Sequence, residues 1–359
     1  MNKNFATHAA TLRTEYLQKT ETLFISNKAA WFVDFTRNFH EICVEIRKLQ
    51  DRAALTAIAY LEYTMLYTNI MDRHYVAELF VYNDKGYLDK NQRIIGEYDI
   101  SFLFIYFERM WDKLLSERKR YVGKVTSREI TAFMVETLPF FGSYLANIAR
   151  FSIVDCIDKS PFVNINKNDV FRVNVGDYLA YTENIYIEKK NKDARILAKW
   201  FEERYVNVYT FNDYSGLDFS GLLLTFTDFR YSQFRNSCLQ NASLEGSALI
   251  GANFHMGRMD NCCLDNCSIN EANFSHAMLR GASFKYARGR ASQIGEQGWK
   301  QVGFSPVNFR NADLTGVNFT GANLVGADFT GAKLDNVVFT DAVMDGAIFD
   351  SNGGNIKLS

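Results

Sequence analysis

The sequence lacks an excess of charge of either sign. Its 40 Lys and Arg stand against 41 Asp and Glu, a formal net charge of -1. A chain so balanced exerts no overall pull on nucleic acid, so phosphate binding would need a local basic patch. A disulfide framework is missing too. The six cysteines, at 43, 156, 238, 262, 263 and 267, do not follow the pattern of a small stapled domain. No apolar run ahead of a small-residue cleavage site opens the chain, so no secretory signal is expected. Together these absences predict a reducing, cytoplasmic setting, with non-classical export left open. There is no phosphate-cradling glycine loop, no nucleophile elbow and no His-Glu-x-x-His helix. No catalytic, cofactor-binding or metal-binding residue is therefore expected, and the chain is read as a non-enzyme, with the N-terminal domain the open point.

Hydrophobic residues make up 47% and charged residues 23% of 359 residues, enough for two domains with cores of their own. Thr137 to Val154 carries a single charge, Arg150, and reaches the lower length limit of a membrane span. Pro139, Gly142, Ser143 and Asn147 point instead to a core helix, so no membrane association is expected.

From Phe219 every fifth residue is large and apolar. The series runs through Leu224, Phe229, Phe234 and Leu239 to Phe284, then resumes from Phe309 through Phe319 and Phe329 to Phe349. Two residues before nearly every member sits a small side chain, as at Ala312, Ala322 and Ala327; Leu217 and Leu222 are the exceptions. A period of five suits neither a helix at 3.6 nor a strand at 2. It requires a chain that turns a corner every five residues, with the large side chain on the axis and the small one beside the corner.

Units such as Ala312-Asp313-Leu314-Thr315-Gly316 and Ala322-Asn323-Leu324-Val325-Gly326 resemble the pentapeptide repeat family, whose pattern is A-(D/N)-L-x-x. The resemblance implies a right-handed quadrilateral β-helix with four units per coil, about six coils and a rod on the order of 28 Å long. The expected fold class is thus α+β in two domains: a mainly α-helical domain over 1–210, then this pentapeptide-repeat solenoid over 211–359.

The repeat breaks between Phe284 and Phe309. Ile294, Trp299 and Phe304 stay in frame, yet Gln297 takes a small-residue position. We expect an extruded loop at about 285–304, rejoining without a change of face. Lys285, Arg288, Arg290 and Lys300 against Glu296 make it basic. These four cations with Trp299 are the candidate partner-binding residues; a tolerated surface insertion is the alternative.

In the first 210 residues, Trp31, Phe32, Phe35, Phe39, Ile42, Cys43 and Ile46 recur at helical spacing. Residues 53–71, with Leu55, Ile58, Leu61, Met65 and Ile70, predict a central buried helix. Further helices are expected from Ser101 to about Arg120, after a Thr126-Ser-Arg-Glu129 capping box, and from Pro139 to about Ile157. Two hairpin-like patches interrupt them, Val76 to Ile95 around Asp84-Lys85-Gly86 and Val170 to Ile187. A last helix, about Asp193 to Tyr205, is expected to cover the first coil with Trp200 and Phe201.

His40-Glu41-Ile42-Cys43 gathers liganding residue types, but His40 and Glu41 point to different helix faces and Cys43 lies in the apolar stripe. Asp72-Arg73-His74 is read as polar punctuation at a helix end. Cys262 and Cys267 fall in the small inward column and are expected to pack as small apolar groups.

Three functions follow. A scaffold that binds partner proteins through the rod and the helical domain comes first. The family resemblance also implies a mimic of duplex DNA that binds and protects DNA gyrase. Mimicry needs carboxylates in rows, yet Asp328 and Asp350 share a face with Arg310, Asp313 and Asp335 share one with Lys333, and Asp341 and Asp345 stand alone. The third is a targeting arm for an N-terminal enzyme, or a bacterial effector. Residues 351–359 are a meagre cover for the axial Met344 and Phe349, so a homodimer through the C-terminal end of the rod is expected.

Overall fold

The structure, a computed structural model, describes residues 2–88, 93–121, 123–177, 182–190, 197, 199, 209–291 and 305–350. The chain divides into two compact units, Met1–Ile187 and Glu188–Ser359, where the sequence reading places the division at 210/211.

The first unit opens with α1 (Lys3–Asp51), a helix of 49 residues. No Gly or Pro interrupts it, and Asn2 caps it by accepting from the Asn4 and Phe5 amides. Strands β1 (Ile58–Met65), β2 (Val76–Tyr82), β3 (Arg93–Asp99), β4 (Lys167–Asp177) and β5 (Thr182–Lys189) form one sheet in the order β3-β2-β1-β4-β5. β1 runs antiparallel to β2 and parallel to β4.

This corrects the helix expected over 53–71. That stretch holds β1 and only a short helix, α2 (Tyr67–Met71). Seven of the eight β1 residues are buried, so the strand shows no alternation and reads as apolar all round, as central strands do. The two patches expected as separate hairpins are consequently joined through β1 into a single sheet.

α3 (Ser101–Glu117), α4 (Ser127–Val135) and α5 (Leu138–Ile153) complete the unit. The Thr126–Glu129 capping box is present in both directions, and Pro139 sits in the first turn of α5, where its missing amide is harmless. α1 packs on the sheet through Phe35 against Tyr63 and Tyr98, at 4.9 and 5.4 Å between ring centres. The approach is close at Gly96, where a Cβ would stand 2.6 Å from Ile42 Cδ1. No helix among the described residues is long and apolar enough to cross a membrane.

Glu21 of α1 is 2% exposed, and burial lifts its carboxyl from 4.5 to about 7. Between those values the folded state keeps a proton that the unfolded chain has released. Stability is therefore full below pH 4.5 and falls as pH rises through about 7, by about 3 kcal/mol in all. We predict that Glu21→Gln flattens this slope, measured as the difference between urea unfolding of mutant and wild type at pH 5 and pH 8. Parallel pH profiles for the two proteins contradict it.

The second unit is a repeat solenoid. Parallel bridges join residues twenty apart from Asp213↔Gln233 to Ala248↔Ser268 and onward, so four pentapeptides make a coil. Axial amides up to Phe329 donate to the next coil, as Phe309 to Asp328 O at 2.8 Å, and the residue before an axial one donates back, as Asp328 to Val307 O at 3.1 Å. The axial residues form columns. One is aromatic throughout: Tyr214, Phe234, Phe254, Phe274, Phe309, Phe329 and Phe349 stack at 4.9–5.3 Å. Tyr214 is a unit before the first one counted from sequence, and Leu197 joins the same core.

At the insertion the ladder step changes from twenty to 35, as in Asn273↔Asn308, Met278↔Asp313, Ser283↔Asn318 and Arg288↔Asn323. The difference is fifteen residues, three whole pentapeptides. Phe309 accordingly takes the place above Phe274 that Ile294 would hold in an unbroken repeat, and every later face is preserved. Ile294, Trp299, Phe304, Gln297, Trp200 and Phe201 lie outside the described residues.

Candidate protein-binding surface

The repeat dictates what faces outward. Asp or Asn just before the axial residue accepts from the amide two residues on, as Asp218 from Ser220 at 2.9 Å and Asp328 from Thr330 at 2.9 Å. The hydroxyls of Thr315, Thr320 and Thr330 close the same turns at 2.6–2.7 Å. These are Asx turns, and they explain the Asp/Asn preference of the unit. The Asp residues at this position are thereby engaged at corners. Asp313 also binds Arg280 at 2.8 Å and Lys333 at 3.5 Å, and Asp328 binds Arg310 at 3.2 Å. Partial burial pushes the Asp313 carboxyl up, but the Thr315 and Arg280 hydrogen bonds outweigh it and bring it to about 2. Asp313 and Asp328 are thus already matched by cations.

The corner residues have positive φ and are mostly Gly or Asn. Tyr286 is an exception, at φ 57° and 60% exposed. Its ring lies over Gly321 of the next coil, where a Cβ would come within 2.5 Å of it. Around this corner the structure brings together three of the five expected partner-binding residues. Lys285 is half-buried on one face, with its amide on Asp265 at 2.9 Å. Arg288 is exposed on the next face and donates to Ser268 Oγ at 3.0 Å. Arg290 follows, its carbonyl accepting from Asn270. Among the described residues neither Lys285 nor Arg288 makes an ion pair. Trp299 and Lys300 lie outside the described residues. Tyr286 was missed in the sequence because its five-residue position carries no apolar demand.

At the other end, Met344 and Phe349 are half-buried, whereas their column partners Leu324 and Phe329 are 0% and 1% exposed. Three of the four bridge positions of the last coil are apolar, with Lys333 the fourth: Val338, Val343 and Ile348 are 40%, 45% and 52% exposed. Earlier coils carry Asn318, Asn323 and Asp328 there.

The other candidates resolve into structure. Cys262 and Cys267 are buried in the solenoid core, and burial raises both thiols. Arg73 of the Asp72-Arg73-His74 turn binds Asp112 at 2.5 Å and Glu108 at 3.9 Å. Along α1, His40 is exposed and Cys43 buried. Among the described residues no three His, Cys, Asp or Glu side chains converge as a metal site.

Residues 227–266, 264–288, 304–341 and 322–351 match the family Pentapeptide repeats, in eight copies. The C-terminal part of the chain is thus a pentapeptide-repeat region. No curated protein matches the chain. Among solved structures it is similar to HetL, a pentapeptide repeat protein involved in heterocyst differentiation regulation from the cyanobacterium Nostoc. Identity is 17% over 40% of this chain and 79% of that one, with a TM-score of 0.20. Full-length QnrB1, a plasmid-mediated fluoroquinolone resistance protein, is 17% identical over 39% of this chain and 94% of its own, at a TM-score of 0.20. A pentapeptide repeat protein from the Arabidopsis thaliana thylakoid lumen reaches 30% over 36% and 71%, at 0.10. At these values the likeness extends to the repeat and carries nothing on function.

Proposed function

We propose that this chain is a non-enzymatic protein-interaction scaffold whose solenoid is a right-handed, four-sided rod. The twenty-residue ladder step with a corner every five residues supports that form. The observation that carries the function is the corner at 285–290. Lys285, Arg288 and Arg290 flank an exposed Tyr286 on adjacent faces of a single coil, while Asp228, Asp313 and Asp328 are matched by cations. A basic, aromatic patch on a rigid support fits an acidic segment of a partner protein. The DNA-mimic reading finds no support in carboxylates that brace corners and hold Arg and Lys.

The test is affinity capture from native lysate with the full chain, followed by binding measurements on the partner recovered. Changing Lys285, Arg288 and Arg290 together to Ala is expected to weaken binding at least tenfold and to reduce its salt dependence. Unchanged affinity at low and high salt would remove this corner from the interface.

The scaffold reading includes self-association. Half-exposed axial Met344 and Phe349 support a two-fold end-to-end dimer. Light scattering should give roughly twice the 41.2 kDa chain mass, and Met344→Arg with Phe349→Arg should return a monomer. A monomeric wild type at tens of micromolar rules the dimer out.

A further inference from the structure

In the first unit, α1 and the segment following α5 enclose a cavity of about 350 Å³. Its floor is apolar. Phe39 and Cys43 of α1 are fully buried there, and Cys156 and Phe162 close the opposite wall at 8% and 1% exposure. Burial raises the Cys43 thiol and lifts Cys156 to about 11. Both stay protonated near neutral pH, so they act as small apolar groups in the floor and not as nucleophiles.

The mouth has the opposite character. Arg37 and His40, one turn apart on α1, face it from one side and Lys159 from the other, all exposed; Asp155 is the one acid among the lining residues. Arg37 is already engaged with Asp34 at 3.1 Å. His40 and Lys159 make no ion pair among the described residues. A pocket of this volume lies at the small end of ligand sites and accommodates about ten to fifteen non-hydrogen atoms. Apolar depth with a cationic rim selects a ligand that is apolar at one end and anionic at the other. A cation would meet Arg37 and Lys159, and a wholly polar anion would gain nothing from Phe39 and Phe162.

We propose that this cavity binds a small carboxylate with an apolar body, the body against Phe39, Cys43, Cys156 and Phe162 and the carboxylate at the mouth on Lys159 and His40. Calorimetry on the full chain at pH 7 tests it, with octanoate, octan-1-ol and octylamine as probes of equal length. Octanoate is expected to bind saturably, one per chain, and at least tenfold tighter than octylamine. Lys159→Gln should weaken octanoate about fivefold and leave octan-1-ol unaffected. Cys156→Phe should fill the cavity and abolish both; should it unfold the protein, Val33→Trp at the exposed mouth serves instead. Octanoate binding weaker than about 1 mM, equal affinity for octylamine, indifference to Lys159→Gln, or binding that survives the filled cavity each overturns the proposal.

Discussion

Phe319→Asp is expected to abolish folding of the solenoid while the first unit stays helical. Phe319 is fully buried and stacks between Phe284 and Phe339 at 5.1 and 5.4 Å. Phe309 and Phe329 meet its edges at 5.4 and 6.0 Å. Among the described residues no polar group stands beside Phe319 to receive a carboxylate. Burying one unpaired, or protonating it to avoid doing so, costs several kcal/mol, in the range of the whole stability of a domain. The ladder makes the damage cooperative, because each coil uses its neighbours as hydrogen-bond partners. Phe319→Leu is the control. Leu264 fills the same column two coils earlier, so the loss should be about 1–2 kcal/mol. Circular dichroism melts and limited proteolysis of the full chain read both outcomes. A cooperative solenoid transition in Phe319→Asp would show that this column does not form the axis.

Removing the insertion should be nearly silent if it is removed in whole pentapeptides. Deleting residues 292–306 takes out fifteen, returns the ladder step at Asn273 and Asn308 from 35 to twenty, and leaves Arg290 and Ala291 as the corner. That corner needs positive φ. Gly251, Gly326 and Gly346 supply it on this face at 64°, 74° and 68°, so Ala291→Gly accompanies the deletion. The melting temperature is expected to stay within about 5 °C of wild type. Deleting fourteen residues, 292–305, should instead unfold the later coils, since a shift by one moves every axial Phe and Leu out of register. Equal stability of the two deletions would mean that the ladder is not held by the five-residue frame. Loss of stability in the fifteen-residue deletion would place the removed segment in the solenoid's packing.

How much was legible follows from where the information sits. In the solenoid it is local: each five-residue unit makes the same turn, so Ala312, Asp313 and Leu314 state in sequence what Ala312 packs, what Asp313 braces and what Leu314 stacks. The small column, the axial column and the thiols at Cys262 and Cys267 could be placed before any coordinate was known. The in-frame Ile294, Trp299 and Phe304 also announced that the later faces would not shift.

The corner proposed to bind a partner was half legible. Lys285, Arg288 and Arg290 stood out as a run of charge, but that they surround an exposed ring depends on Tyr286 lying over Gly321, a contact between coils. The apolar last coil was equally hidden, because Val338, Val343 and Ile348 are unremarkable until the ladder aligns them with Asn318, Asn323 and Asp328.

Sequence determined the repeat, its period, its inward columns and the preserved frame across its interruption, since a solenoid writes its geometry into each unit; the three-unit size of that interruption came from the ladder. Tertiary structure alone decided that Ile58–Met65 is a central strand and that the patches around it form one sheet. Strand pairing is made between residues distant in the chain, and burial on both faces erases the alternation that would betray it. The cavity between α1 and the segment after α5 belongs with these. Its cations and its apolar floor come from residues more than a hundred positions apart, and only packing sets Lys159 opposite His40.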